Sequence, residues 1–136
     1  MLSDSDIDGM PILASAGSYT DLKIWQKAMD LAEICYEATQ TLPKEELYGL
    51  TSQIRRCSVS IPANIAEGYG RDSDGSFVQF LRVSQGSLKE LETHTILCGR
   101  LGLLPPEKVS TILDSADELG KMMRAFIGSI QRKVAK

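Results

Sequence analysis

Four runs of apolar residues, each stepping by three or four, constrain this chain more than any other feature. That spacing lays side chains along one face of an α-helix. Leu22, Trp25, Met29, Ala32 and Tyr36 make the first run, and Ala28, Leu31, Cys35 and Ala38 widen its face. A helix over about residues 21–41 is thus covered on more than one side. Thr20 is placed to cap it, Asp21 suits its positive first turn, and Pro43 ends it. Leu47, Leu50, Ile54, Cys57 or Ser58, Ile61 and Ile65 form the second run, starting near Lys44 and stopped by Gly68 and Gly70. After a polar turn in which Ser73 or Asp74 is the cap, Phe77, Phe80, Leu81, Ser84, Leu88, Leu91, Thr95 and Cys98 form the third. Gly102 supplies a left-handed stop. Val109, Ile112, Leu113, Ala116, Leu119, Met123, Phe126, Ile127 and Ile130 form the fourth. Pro105 and Pro106 stand at its start, where a missing donor costs nothing.

Pro62 sits inside the second run, where it removes one backbone donor and crowds the carbonyl of Ser58. The period continues through Ile65 and Ala66, so one kinked helix is expected rather than two. The prediction is an all-α fold: an antiparallel up-down-up-down four-helix bundle with a proline-kinked second helix. It occupies residues 19–136, behind a flexible acidic leader at 1–18.

Composition narrows the function classes. At 136 residues, 43% apolar and 24% charged, the chain has the size and balance of one globular domain. Fifteen basic against eighteen acidic residues leave a net charge of −3, which excludes a strongly basic nucleic-acid binder for the whole monomer but not a local patch. No window approaches the roughly 18 apolar residues of a membrane span, so no membrane partner is expected. The start lacks the basic and apolar segments of a secretory signal, and three cysteines without a close pair make no disulfide framework. A cytoplasmic location with reduced thiols follows as the expectation. From Leu119 onward the chain carries Lys121, Arg124, Arg132, Lys133 and Lys136 and no acid. That end reads either as a phosphate-attracting tail or as cations complementing a helix C-terminus.

A polar stripe stands out. Gln53, Arg56, Ser60, Asn64 and Glu67 share one face of the second helix, and Arg82, Gly86, Glu90 and Thr93 share one face of the third. If these faces meet each other or a neighbouring subunit, Arg56 can pair with Glu90 and Asn64 can bond across the contact. Small residues nearby (Ser58, Ala63, Gly86, Ser87) suit a packed polar interface better than a solvated face, which is the alternative.

Enzyme chemistry finds little support. One histidine without an acid partner makes no Ser-His-Asp triad, and Gly68-Tyr69-Gly70 lacks the later Gly-Lys-Ser/Thr of a phosphate loop. Glu90 and Glu92 point to different helix faces. A di-iron bundle needs Glu-x-x-His on two helices, whereas Leu91 stands three before the single His94. The chain is read as non-enzymatic, with no catalytic residue, resident metal or cofactor assigned. The alternative is a bundle holding a structural zinc through His94 and Cys98, with Cys35 and Cys57 arriving from other helices.

The run from Pro43 to Arg71, PKEELYGLTSQIRRCSVSIPANIAEGYGR, closely resembles the bacterial four-helix-bundle proteins of intervening sequences in large-subunit ribosomal RNA genes. The segments Asp21–Ala28, Phe80-Leu81 and Gly86–Thr93, with the closing apolar helix, extend the resemblance over about residues 20–133. It implies a kinked antiparallel bundle assembled as a ring-shaped homopentamer with no established enzymatic activity. That architecture is similar to the accessory variability protein of diversity-generating retroelements, which binds nucleic acid and a reverse transcriptase. On this chain the resemblance assigns Gln53, Arg56, Ser60, Asn64, Glu67, Gly86, Ser87 and Glu90 to folding and assembly. Cys57 stands where the family usually has a small residue such as Ala. The expected function is a non-enzymatic oligomeric scaffold, its partners being copies of itself, RNA or DNA, and a reverse-transcriptase-like protein. Arg55, Arg71, Lys89, Arg132 and Lys133 are the candidate nucleic-acid contacts, repeated around the ring.

Overall fold

The structure is a computed structural model and describes residues 17–135. The acidic leader therefore lies almost wholly outside the described residues. Four helices carry the fold: α1 (Lys23–Thr39), α2 (Leu50–Tyr69), α3 (Asp74–Arg100) and α4 (Pro106–Ala135). Short 3₁₀ turns at Tyr19–Asp21 and Lys44–Glu46 precede α1 and α2, and no strand occurs among the described residues. The all-helical class expected from periodicity is what is found.

Helix ends follow local chemistry, with two departures from expectation. Thr20 does not cap α1, whose N-cap is Leu22 without a side-chain bond; Ser18 instead caps the preceding 3₁₀ turn, its hydroxyl accepting from the Thr20 N–H. The Thr20 carbonyl is instead held by Gln26 Nε2 at 2.9 Å. The second helix begins at Leu50 rather than near Lys44, because residues 44–46 wind into a 3₁₀ turn whose Glu46 carboxylate accepts from the Leu50 N–H at 3.1 Å. An acidic group at that position compensates the exposed donors and positive end of the helix. Ser73 caps α3 through the Ser76 N–H, and Gly102 takes the expected left-handed conformation at φ 72°.

Each helix packs on two neighbours, α1 and α3 both touching α2 and α4. Numbers rise on one partner as they fall on the other. Along α2 and α3, Cys57 meets Glu90, Ser60 meets Ser87, and Gly68 lies against Phe77 and Phe80. Gly99 lies against Val109 and Phe77 against Phe126, while Lys27 pairs with Glu118. Neighbouring helices accordingly run antiparallel.

Ile54, Ile61 and Ile65 of α2, Phe77, Leu81, Leu88 and Leu91 of α3, and Ile112, Leu119, Met123 and Ile127 of α4 fill the core. On α1 the first expected set divides: Leu22 and Ala32 are buried and Trp25 packs against the core. Ala28, Leu31, Cys35 and Ala38 are buried, whereas Met29 and Tyr36 stand at the rim. Both sets obey the helical period. Small side chains at Ala28, Ala32 and Ala38 let α1 approach its neighbours closely.

Helix α2 runs without interruption through Pro62, which is itself buried. Two carbonyls beside the proline receive side-chain donors: Asn64 Nδ2 donates to Ser60 O at 2.8 Å, and Ser84 Oγ of α3 donates to Ile61 O at 2.9 Å. Six residues on from Pro62, Gly68 is fixed by packing. A Cβ there would stand 2.6 Å from the Cβ of Phe80 and 3.3 Å from the Phe77 carbonyl.

Candidate functional site

Of the polar residues expected to form a stripe, Ser60, Asn64 and Ser87 meet at the seam where α2 lies against α3. Ser60 and Ser87 exchange a hydrogen bond at 2.9 Å across it. Asn64 Nδ2 reinforces the pair from one turn along α2, 3.1 Å from Ser60 Oγ. Asn64 thus bonds within its own helix, reaching α3 only through Ser60. Ser60, Asn64 and Ser87 are half-buried, whereas Arg56, Glu67, Gly86 and Glu90 are exposed and Gln53 is intermediate.

Arg56 and Glu90 make no ion pair within the described chain. Glu90 instead accepts from the Cys57 thiol, Sγ to Oε2 at 3.6 Å. Burial pushes the Cys57 thiol up to about 11, aided by the Glu90 charge, while Arg56 acts in the opposite sense. With no metal bound, a thiol so placed stays protonated at neutral pH and acts as a hydrogen-bond donor, not a nucleophile.

The five candidate nucleic-acid contacts do not gather into one patch. Arg55 is half-buried and committed to the fold: Nε donates to Thr39 Oγ1 at 2.9 Å, Nη2 to the Tyr36 carbonyl at 3.4 Å, and the guanidinium lies over the Tyr36 ring at 4.6 Å. Lys89, midway along α3, pairs with Glu92 at 3.0 Å. Arg71 pairs with Glu67 at 2.9 Å and covers the Phe80 ring at 4.8 Å. Arg71, in the turn between α2 and α3, shares one end of the bundle with Arg132 and Lys133 near the end of α4. Asp74 and Gly75 there line the same cleft as Ile130 and Gln131. Arg132 remains exposed and donates to Ser129 Oγ at 3.0 Å.

All three cysteines are free and buried. The donor set anticipated for zinc is rearranged. Cys98 lies on the core side of α3 and Cys35 in the core of α1, whereas His94 is grouped with Glu90 and Cys57, their ligand atoms all within 4.8 Å of one another. Glu90 and His94 are four apart on α3, a spacing visible in the sequence; that Cys57 stands opposite them depends on the register of α2 against α3. Periodicity also gave no sign of the Arg55–Tyr36 contact, since Tyr36 matched a core position.

Fold and seam together define a class: a four-helix bundle with a hydrogen-bonded polar seam along one helix pair. Residues 20–125 match the 23S rRNA-intervening sequence protein family, and this chain belongs to it. A similar solved structure is a protein of unknown function from the S23 ribosomal protein family of Bacteroides thetaiotaomicron, 22% identical. The likeness covers 76% of this chain and 97% of that one at a TM-score of 0.69, a relationship of fold. No curated protein matches the sequence. No helix among the described residues is long and apolar enough to cross a membrane.

Proposed function

We propose that this protein is a non-enzymatic scaffold that assembles with copies of itself through the α2–α3 face, as a homopentamer, and contacts RNA or DNA through its Arg71, Arg132 and Lys133 end. The observation that carries the assembly reading is Gly86. It sits exposed within α3, and a Cβ built on it meets nothing within 4 Å. Glycine inside a helix costs roughly 0.5–1 kcal/mol relative to alanine, and the packing of a single chain offers no compensation here. Close approach by a second backbone supplies one. Val59 and Val83, exposed on the same helix pair, add apolar surface, and the Ser60–Ser87 bridge keeps the seam polar but satisfied.

Nucleic-acid contact is the secondary element of this reading. The monomer is net acidic, Arg71 and Lys89 are paired, and Arg55 is structural, so affinity depends on repeating one modest basic end around an assembly.

Gly86→Arg tests the assembly. Open space above Gly86 lets the helix accept the side chain, so the variant keeps its helical circular dichroism but elutes as a monomer by light scattering while the parent does not. A parent that is itself monomeric at micromolar concentration refutes the reading. Binding to a single-stranded RNA oligomer, measured at low and high salt, tests the second element. Affinity falls steeply with salt and is weakened by Arg71→Glu.

A further inference from the structure

The chain's single histidine stands beside a cysteine and a carboxylate brought together from two helices, a combination that the scaffold role does not use. We propose that Cys57, Glu90 and His94 form a binding site for a divalent transition metal, with Zn²⁺ the best-fitting ion. Sulfur, imidazole nitrogen and carboxylate oxygen are the three donor types that zinc takes in proteins. Donors about 2.0–2.3 Å from a tetrahedral ion stand roughly 3.3–3.7 Å apart. Cys57 Sγ and Glu90 Oε2 are already separated by 3.6 Å. His94 has a ring nitrogen within 4.8 Å of both.

Position supports the same conclusion. Glu90 and His94 lie one turn apart on α3, so both project to the same side, and α2 delivers the sulfur from across the seam. Cys57 is buried, His94 half-exposed and Glu90 exposed, which gives the ion a path from solvent and leaves a fourth position for water. A thiolate and a carboxylate together neutralise the dication, so the loaded site carries no net charge in a partly buried place. Binding forms the Zn–S bond as the thiol S–H breaks, and that proton passes to solvent. The site lies entirely within one chain and does not rest on the assembly reading.

The test uses the full chain, stripped with a chelator and titrated with Co²⁺ and then Zn²⁺. The expected result is uptake of about one ion per chain, a thiolate-to-cobalt charge-transfer band, release of a proton, and displacement of cobalt by zinc. His94→Ala and Glu90→Gln change accessible side chains and keep the helical circular dichroism. Each weakens zinc at least about tenfold, and Cys57→Ser removes the charge-transfer band. Perturbation of the single imidazole by Zn²⁺ in NMR spectra identifies the nitrogen ligand. Absence of stoichiometric uptake, cobalt binding without a thiolate band, or zinc affinity unchanged in both His94→Ala and Glu90→Gln overturns the proposal. A monomeric chain that still binds zinc refutes the assembly reading alone.

Discussion

Ser60 of α2 and Ser87 of α3 bring their hydroxyl oxygens to 2.9 Å, one hydrogen bond spanning the seam between the two helices. Asn64 donates to the same Ser60 hydroxyl, so the small network is closed by residues from both sides.

The bridge has a measurable coupling. In a double-mutant cycle by urea denaturation, Ser60→Ala and Ser87→Ala are expected to show an interaction energy of about 0.5–1.5 kcal/mol, the usual net value of one such bond. Additive effects would show that the two hydroxyls do not bond in solution.

Two glycines respond in opposite senses to the same substitution. Gly68→Ala forces a methyl to 2.6 Å from the Phe80 Cβ and is expected to destabilise the fold by about 1–3 kcal/mol. Gly86→Ala fills open space on a helix and is expected to stabilise the single chain by about 0.5–1 kcal/mol. Thermal unfolding at a concentration where the chain is monomeric checks both signs.

Arg55 and Arg71 separate stability from binding. Arg55→Ala removes a charged hydrogen bond to Thr39 and the stacking on Tyr36, and is expected to cost about 2 kcal/mol. Arg71→Ala breaks an exposed pair with Glu67 and an exposed contact over the Phe80 ring, and is expected to cost under about 1 kcal/mol. Denaturant midpoints of the two variants distinguish these roles; equal losses would contradict them.

Alkaline pH is expected to unfold this protein partly through its buried thiols. Burial pushes Cys35 up to about 12, with the neighbouring Cys57 adding to the shift, whereas an unfolded cysteine titrates near about 8.5. A raised value means that the contribution is fully present below the unfolded pKa and is lost as pH rises through the interval up to about 12. Melting temperature followed from about pH 8 to about pH 11 should fall more steeply for the parent than for Cys35→Ala. Parallel slopes would exclude a role for this thiol.

Helix count, most boundaries and the apolar faces of α2, α3 and α4 were legible in the sequence, because helical spacing and end-capping are local physics. Ser73 and Gly102 act as their residue types foretold. The start of α2 was misplaced because a carboxylate four residues before its first residue, Glu46, accepts from the Leu50 N–H. On α1 two overlapping stripes satisfied the same period, and only contact with α2 and α4 decided that Met29 and Tyr36 of the first stay exposed.

The candidate site divides along the same line. That Glu90 and His94 share a side of α3, and Ser60 and Asn64 a side of α2, is determined by the chain alone, since a helix repeats every 3.6 residues regardless of its surroundings. Which residue faces which across the seam is decided only by tertiary structure. Antiparallel packing can slide by a turn without altering either helix, and the register here is set by Gly68 seating against Phe77 and Phe80 and by Ser84 reaching the Ile61 carbonyl. Those contacts place Cys57 beside Glu90 and Ser60 beside Ser87.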